Sequence, residues 1–208
     1  MRRKQFAIEN QEEIEAFLAE MSFGVLGTVG PDEQPHVLPL NFVYERGHIY
    51  FHGSKIGEKM DHLGRSAAVT FCVAKEYAII PSYFTDPTFA CPATSYFKSV
   101  IVKGTAATVD DLAEKAAIFS ALMCKLQPEG GYAPIDPGNA EYAKRLEAVA
   151  LIKIVPREVT GKFKFGQNLR EPAFAGLAES LERRGLPDDA ETAELMRRYC
   201  PAHRPTGD

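Results

Sequence analysis

The chain has 208 residues, of which 45% are hydrophobic and 25% are charged, and its formal net charge is −4. This balance is typical of a folded globular domain with a small extension and excludes a mainly disordered chain. The negative charge gives no general electrostatic attraction to nucleic acid or to anionic lipid.

The N-terminal half is predicted to form one helix followed by antiparallel strands. The helix covers residues 10–21, where Asn10 can cap the first turn and Glu13 stands three residues later. The pattern then changes to alternation, which predicts strands at 23–29, 36–44 and 48–52. Their connections are too short for parallel crossovers, so these strands must be antiparallel.

The second half mixes helices with further strands. The predicted helices are at 57–64, 110–126 and 139–146, with two more after Pro172, the first of which ends at Gly185. The predicted strands are at 67–73, 96–109 and 148–155, with a further piece at 159–165. Residues 78–94 contain three prolines and are predicted to be a long loop. These elements predict a mainly β fold, a small closed antiparallel barrel of six strands with flanking helices.

No export signal or membrane helix is predicted. No apolar run reaches the roughly 18 residues of a membrane span, and acidic residues follow the basic N-terminus where a signal peptide would be apolar. The four cysteines form no Cys-x-x-Cys pair, so we expect free thiols and a cytoplasmic location.

The densest polar stretch, HGSKIGEKMDH from His52 to His62, follows a strand and opens a helix. Backbone N–H groups at the helix start, the Lys59 charge and the Ser54 hydroxyl together suit an anion such as phosphate. The stretch lacks the Gly-Lys pair of a P-loop. The alternative interpretation is a capped surface helix with solvated lysines, which is a common arrangement.

Several motifs resemble a known family. They are GVLGT from Gly24, PHVLPLNFVY from Pro35, HGSKIGEK up to Lys59, and SVIVKG from Ser99. Together they are similar to the FMN-binding split-barrel proteins, relatives of pyridoxamine 5'-phosphate oxidase, and above all to the Nim-type nitroimidazole-resistance branch. The resemblance covers residues 1–165 and implies an FMN-binding split-barrel domain there. The residue pattern itself predicts a C-terminal helical extension at 166–200 and a disordered tail at 201–208. It also implies a homodimer with FMN at each subunit interface.

The resemblance assigns cofactor-binding roles to ten residues. It implies that the backbone of one strand lies along the isoalloxazine ring, and these residues are Leu38, Pro39, Leu40 and Asn41. The next strand end continues the contact through His52, Gly53 and Ser54. The resemblance further implies that Lys59 reaches the FMN phosphate, that Glu58 replaces an arginine of the oxidases and removes one positive charge, and that Ser99 approaches the flavin where the oxidases usually have glutamine.

The resemblance also bears on activity. The chain has no Trp and lacks the Arg-x-His signature of the oxidases, so we do not expect oxidation of pyridoxamine phosphate. The Nim-like branch instead implies an oxidoreductase that reduces a small electrophile, nitroaromatic or quinone-like, with a nicotinamide donor. No Gly-x-Gly-x-x-Gly follows a strand, so the nicotinamide would bind only transiently. His52 is the predicted catalytic residue, a proton donor beside the ring, and a backbone contact at the strand end is its alternative role.

The sequence is also compatible with other functions. The chain is alternatively a non-catalytic flavin carrier or redox sensor, or a haem- or deazaflavin-binding relative on the same barrel, because one fold hosts many functions. His36, His48 and His52 lie on neighbouring strands and suggest zinc, but they are expected at different heights, so no metal site is predicted.

Overall fold

The structure, a computed structural model, describes residues 4–200; the tail predicted at 201–208 lies outside the described residues. Its strands are β1 (Ala7–Ile8), β2 (Phe23–Val29), β3 (Pro35–Asn41), β4 (Val43–Glu45), β5 (His48–Gly53), β6 (Ala68–Ile80), β7 (Thr94–Val109) and β8 (Ala150–Lys164). Its helices are α1 (Gln11–Glu20), α2 (Glu58–Arg65), α3 (Leu112–Leu126), α4 (Ala140–Ala148), α5 (Glu171–Arg184) and α6 (Asp189–Tyr199).

The mainly antiparallel β class is confirmed, but the described part of the chain has eight strands and not the predicted six. One extra strand arises because the predicted strand 36–44 breaks at Phe42. Phe42 itself belongs to neither strand; its side chain is fully buried, and its N–H donates to the carbonyl of Ser22 at 3.0 Å, next to the last β2–β3 pair. The other is the two-residue β1, which pairs with β8.

The strands pair in the order β3-β2-β6-β7-β8-β5-β4. Among the described residues β3 and β4 are the two ends of this path, so the prediction of a closed barrel is wrong. β4 is three residues long and pairs with β5. β3 pairs with β2 over its whole length and is an edge strand.

The loop predicted at 78–94 is shorter than expected. β6 continues to Ile80 and β7 begins at Thr94, with a 3₁₀ turn at Ser82–Phe84 between them. Tyr77 and Ile80 are buried, so the apolar character of the strand continues past residue 73. The adjacent charged pair at residues 75 and 76 interrupts that pattern in the sequence and concealed the extension.

Helix termini follow the predicted capping signals. The Asn10 side chain accepts a hydrogen bond from the Glu13 N–H at 3.2 Å and caps α1. Gly185 ends α5 in the left-handed conformation, with φ of 69°. Within the described residues no helix is long and apolar enough to span a membrane.

The chain divides into two compact units. The first unit comprises residues 10–73 and 100–160, and the second comprises the described residues 4–9, 74–99 and 161–200. β6, β7 and β8 contribute residues to both. The boundary predicted at residue 165 stays a prediction.

In the first unit, α3 holds two other helices through the buried Lys115 and the half-buried Lys125. The Lys115 ammonium donates to the carbonyls of Leu146 and Val149 at 2.8 and 2.9 Å, at the end of α4. The Lys125 ammonium donates to the carbonyl of Met21 at 2.6 Å, at the end of α1. Cations at helix C-termini satisfy carbonyls that have no partner within the helix. These bonds fix the position of α3, which covers one face of β5.

In the second unit, α5 and α6 are joined by an ion pair. Arg184 Nε donates to Asp189 Oδ2 at 2.8 Å, and Arg184 also donates to the carbonyl of Ile79. The arginine holds the pKa of the buried Asp189 carboxyl below its ordinary value. This pair ties the C-terminal helices to the end of β6.

Candidate functional site

The candidate site lies where β5 ends and α2 begins. Only residues 54–57 connect the two elements. The Ser54 hydroxyl accepts a hydrogen bond from the Ile56 N–H at 3.2 Å and shapes this turn. Gly57 precedes the helix with φ of 110°, a conformation that favours glycine. The short connection brings the first turn of α2 back against the end of β5.

The Lys59 ammonium lies in the space beside Gly53, where another residue would place its side chain. A Cβ atom added at Gly53 would collide with the Lys59 ammonium. The same ammonium lies 5.3 Å from the centre of the Phe51 ring. Gly53 and Lys59, both predicted site residues, are therefore in direct contact.

The Lys59 ammonium has no counter-ion in the described part of the chain. Lys59 is half-buried, and burial lowers the pKa of its ammonium. No carboxylate of residues 4–200 lies within ion-pair distance of it. A partly desolvated charge is costly without a partner, and backbone N–H groups at a helix start add to its attraction for anions. The position suits an anionic ligand.

His52, the predicted catalytic residue, is influenced by the Lys59 charge. It pairs with Leu151 of β8, and its ring centre is 5.2 Å from that of Phe119 on α3. Burial, and then the positive charge of Lys59, hold the pKa of the His52 imidazole below its ordinary value. No hydrogen bond joins its ring to another of residues 4–200.

The four predicted residues of β3 form part of the sheet edge. Leu38 and Leu40 pair with Leu26 and Gly24 of β2 and are half-buried, whereas Pro39 and Asn41 are exposed. The Asn41 side chain donates to the carbonyl of Ser22 at 3.1 Å. An edge strand presents backbone groups that no ladder satisfies, and these are suited to meet the polar rim of a flat ligand.

Glu58 and Ser99 are placed differently from the other predicted residues. The Glu58 carboxylate lies 3.5 Å from His36 Nδ1, and His36 is also in ring contact with His62. Ser99 is half-buried on β7 and belongs to the second compact unit. Sequence reasoning missed His62, which stands four residues after Glu58 and so on the same face of α2.

The family follows from comparison with known sequences. The profile described as pyridoxamine 5'-phosphate oxidase matches residues 10–163, which is most of the chain. The chain therefore belongs to this family, as the sequence motifs indicated. No curated protein matches the chain.

Three solved structures illustrate the shared fold. The flavocytochrome Anf3 of Azotobacter vinelandii is 24% identical with a TM-score of 0.67, over 84% of this chain and 77% of that one. The FAD and heme binding protein of Mycobacterium smegmatis is 14% identical with a TM-score of 0.62, over 87% and 81%. A candidate 5-nitroimidazole antibiotic resistance protein of Bacteroides thetaiotaomicron is 21% identical with a TM-score of 0.60, over 75% and 85%. Such likenesses show the split-barrel fold alone.

The coupling of His52 to Lys59 predicts a titration shift. Replacing Lys59→Met removes a positive charge and should raise the pKa of His52, while the part due to burial remains. The measurement is a proton NMR titration of the His52 ring in protein dialysed free of bound anions. Lys55→Met, in the same turn, is the control and should leave the His52 titration unchanged. An unaltered His52 pKa in the Lys59 variant would contradict the coupling.

Proposed function

We propose that the chain is an FMN-binding flavoprotein that reduces a small electrophile, nitroaromatic or quinone-like, with a nicotinamide donor. The observation that carries this proposal is the half-buried Lys59 ammonium without a counter-ion among the described residues, in contact with Gly53 and close enough to His52 to lower its pKa. FMN ends in a phosphate, the kind of anion that a lysine at a helix start binds well. When bound, FMN supplies the acceptance of hydride and the onward transfer of electrons.

The remaining donor groups are consistent with this cofactor. The Ser54 hydroxyl accepts from the Ile56 N–H and still has its own proton to donate to a phosphate oxygen. The exposed edge formed by Leu38, Pro39, Leu40 and Asn41 offers backbone groups for the polar rim of the ring, and Ser99 is proposed as a further contact from β7. Glu58 is proposed as a neighbour of the phosphate rather than a ligand, since its carboxylate is directed to His36.

His52 is proposed as the proton donor to the reduced substrate. In the unliganded protein the Lys59 charge disfavours the protonated imidazole. An anion bound at Lys59 would offset that charge and raise the pKa of His52 toward neutrality, where a general acid is most effective. Binding of a phosphate would thus prepare His52 for its role.

A homodimer with the flavin between subunits is supported by an exposed apolar face. We call it the β2–β3 outer face, and its residues are Phe23, Val25, Val29, Pro35, Val37 and Pro39. Val37 is 72% exposed and Phe23 is 52% exposed. Apolar patches of this kind mark contacts with other proteins, and this one adjoins the β3 edge.

The free cysteines Cys72, Cys91, Cys124 and Cys200 fit the cytoplasmic location that we propose.

The role of Lys59 is tested by comparing two flavins. Lys59→Ala should weaken FMN binding by about 1–3 kcal/mol, because it removes a charge-assisted phosphate contact. Riboflavin has no phosphate, so its affinity should not change. Flavin fluorescence titrations of wild type, Lys59→Ala and the control Lys55→Ala give both affinities. Equal losses for the two flavins would contradict a phosphate contact at Lys59.

The reaction is tested with FMN-loaded protein under anaerobic conditions. NADH or NADPH should bleach the flavin absorbance, and a nitroimidazole or quinone should restore it. His52→Ala should lower turnover by about 10²-fold while flavin content stays the same, with His48→Ala on the same strand as the control. A flavin that no nicotinamide reduces would favour a carrier or sensor, and a Soret band would indicate haem.

The proposed assembly predicts a native mass near twice the 22.9 kDa of the chain. Val37→Asp places a charge in the middle of the β2–β3 outer face and should give a monomer without bound flavin. Ile79→Asp, at a side chain of similar exposure outside this face, should remain dimeric. Light scattering combined with the absorbance of bound flavin decides the matter, and a flavin-loaded monomer would overturn the proposed interface.

A further inference from the structure

Three potential metal ligands meet beside the candidate site. His36 lies on β3, Glu58 is the first residue of α2, and His62 follows one turn later on the same helix. We call them the His36–Glu58–His62 cluster. One donor atom from each residue lies within 4.8 Å of the other two. The cluster thus joins an edge strand to a helix through two imidazoles and one carboxylate.

The exposure of the three side chains increases from the protein interior to the surface. His62 is 2% exposed, whereas the Glu58 side chain is 64% exposed. His36 lies between them, with its ring centre 4.5 Å from that of His62 and its Nδ1 atom 3.5 Å from Glu58 Oε1. An ion held by these three groups would keep one side open to water or to a further ligand.

A second contact orients the buried histidine. His62 Nδ1 lies 3.1 Å from the hydroxyl of Thr28, which is itself buried. When Nδ1–H donates to this oxygen, the Nε2 atom keeps its lone pair. Metal-binding histidines are held in this way, with the second ring nitrogen donating to a fixed acceptor. The Thr28 hydroxyl therefore gives the buried His62 ring the fixed partner that a metal-binding histidine needs.

We propose that the His36–Glu58–His62 cluster binds a zinc-class divalent cation through three protein ligands, with water completing the coordination. Imidazole and carboxylate together suit zinc and cobalt, whereas magnesium and calcium prefer oxygen ligands alone. Ligand atoms around tetrahedral zinc lie roughly 3.3 Å apart, given bonds of about 2.0–2.1 Å. Closing the cluster from its present spacing requires shifts of about 1 Å in His36 and the exposed Glu58.

The bound ion would act as a clamp. It would tie the first turn of α2 to the edge strand β3, in addition to the chain connection through residues 54–57. The proposed metal site includes neither Lys59 nor His52, so its test does not depend on whether the protein binds flavin.

The test measures metal binding directly, on untagged protein treated with a chelator and then freed of it. Calorimetric titration with Zn²⁺ should give one site per chain, and Co²⁺ should give a visible absorption band from bound metal. His36→Gln and Glu58→Gln should each weaken Zn²⁺ binding by at least about tenfold and remove the Co²⁺ band. Both residues lie at the exposed side of the cluster, so these variants should fold.

Two further variants separate ligation from general effects. Thr28→Val keeps the volume of the side chain and leaves all three ligands, and it should weaken binding about 10–100-fold by releasing His62. His48→Gln, a histidine whose ring contacts the Arg46 carbonyl instead, should bind like wild type. Absence of Zn²⁺ binding by the wild type, or unchanged binding in His36→Gln and Glu58→Gln, would overturn the proposal.

Discussion

The contact between the Lys59 ammonium and Gly53 is the constraint on which the site depends. It exists because four residues connect β5 to α2 and because two glycines, Gly53 and Gly57, permit the close approach and the sharp turn. The arrangement leaves a partly desolvated cation with no anionic partner among the described residues. An anion would stabilise such a charge, and this is why the local backbone geometry supports the proposed phosphate site.

The alternation of β5 separates two environments on one strand. Tyr50 and His52 point to α3, where the Tyr50 hydroxyl donates to Glu114 at 2.9 Å and the His52 ring meets Phe119. Phe51 and Gly53 lie on the side that Lys59 contacts. Only at the strand end are the two sides close enough for the Lys59 charge to lower the pKa of His52. The proposed catalytic histidine and the proposed anion site are therefore coupled through the Lys59 charge without direct contact.

Local signals in the sequence were sufficient for much of the fold and less so for the site. Three features depend only on residues close in the sequence and were predicted correctly. They are the Asn10 cap of α1, the strand β2 and the glycine that ends α5. The break at Phe42 was not predicted because burial of that side chain depends on tertiary packing. The alternation of apolar and polar residues along the strand does not show such packing. The contact of His36 with His62 has the same origin: strand neighbours follow from the local pattern, whereas His62 comes from a helix packed beside β3.

Glu58 illustrates how one helical turn can serve two purposes. The resemblance leads one to expect an arginine there, and a second cation beside Lys59 would strengthen the phosphate site. Successive helical residues point about 100° apart, so Glu58 faces His36 of β3 while Lys59 faces Gly53 of β5. The carboxylate therefore costs the anion site little through direct contact, and it supplies the third donor of the histidine cluster. On this basis Glu58 does more than remove a positive charge beside the proposed phosphate site, because its carboxylate also supplies a donor atom to the proposed cation site.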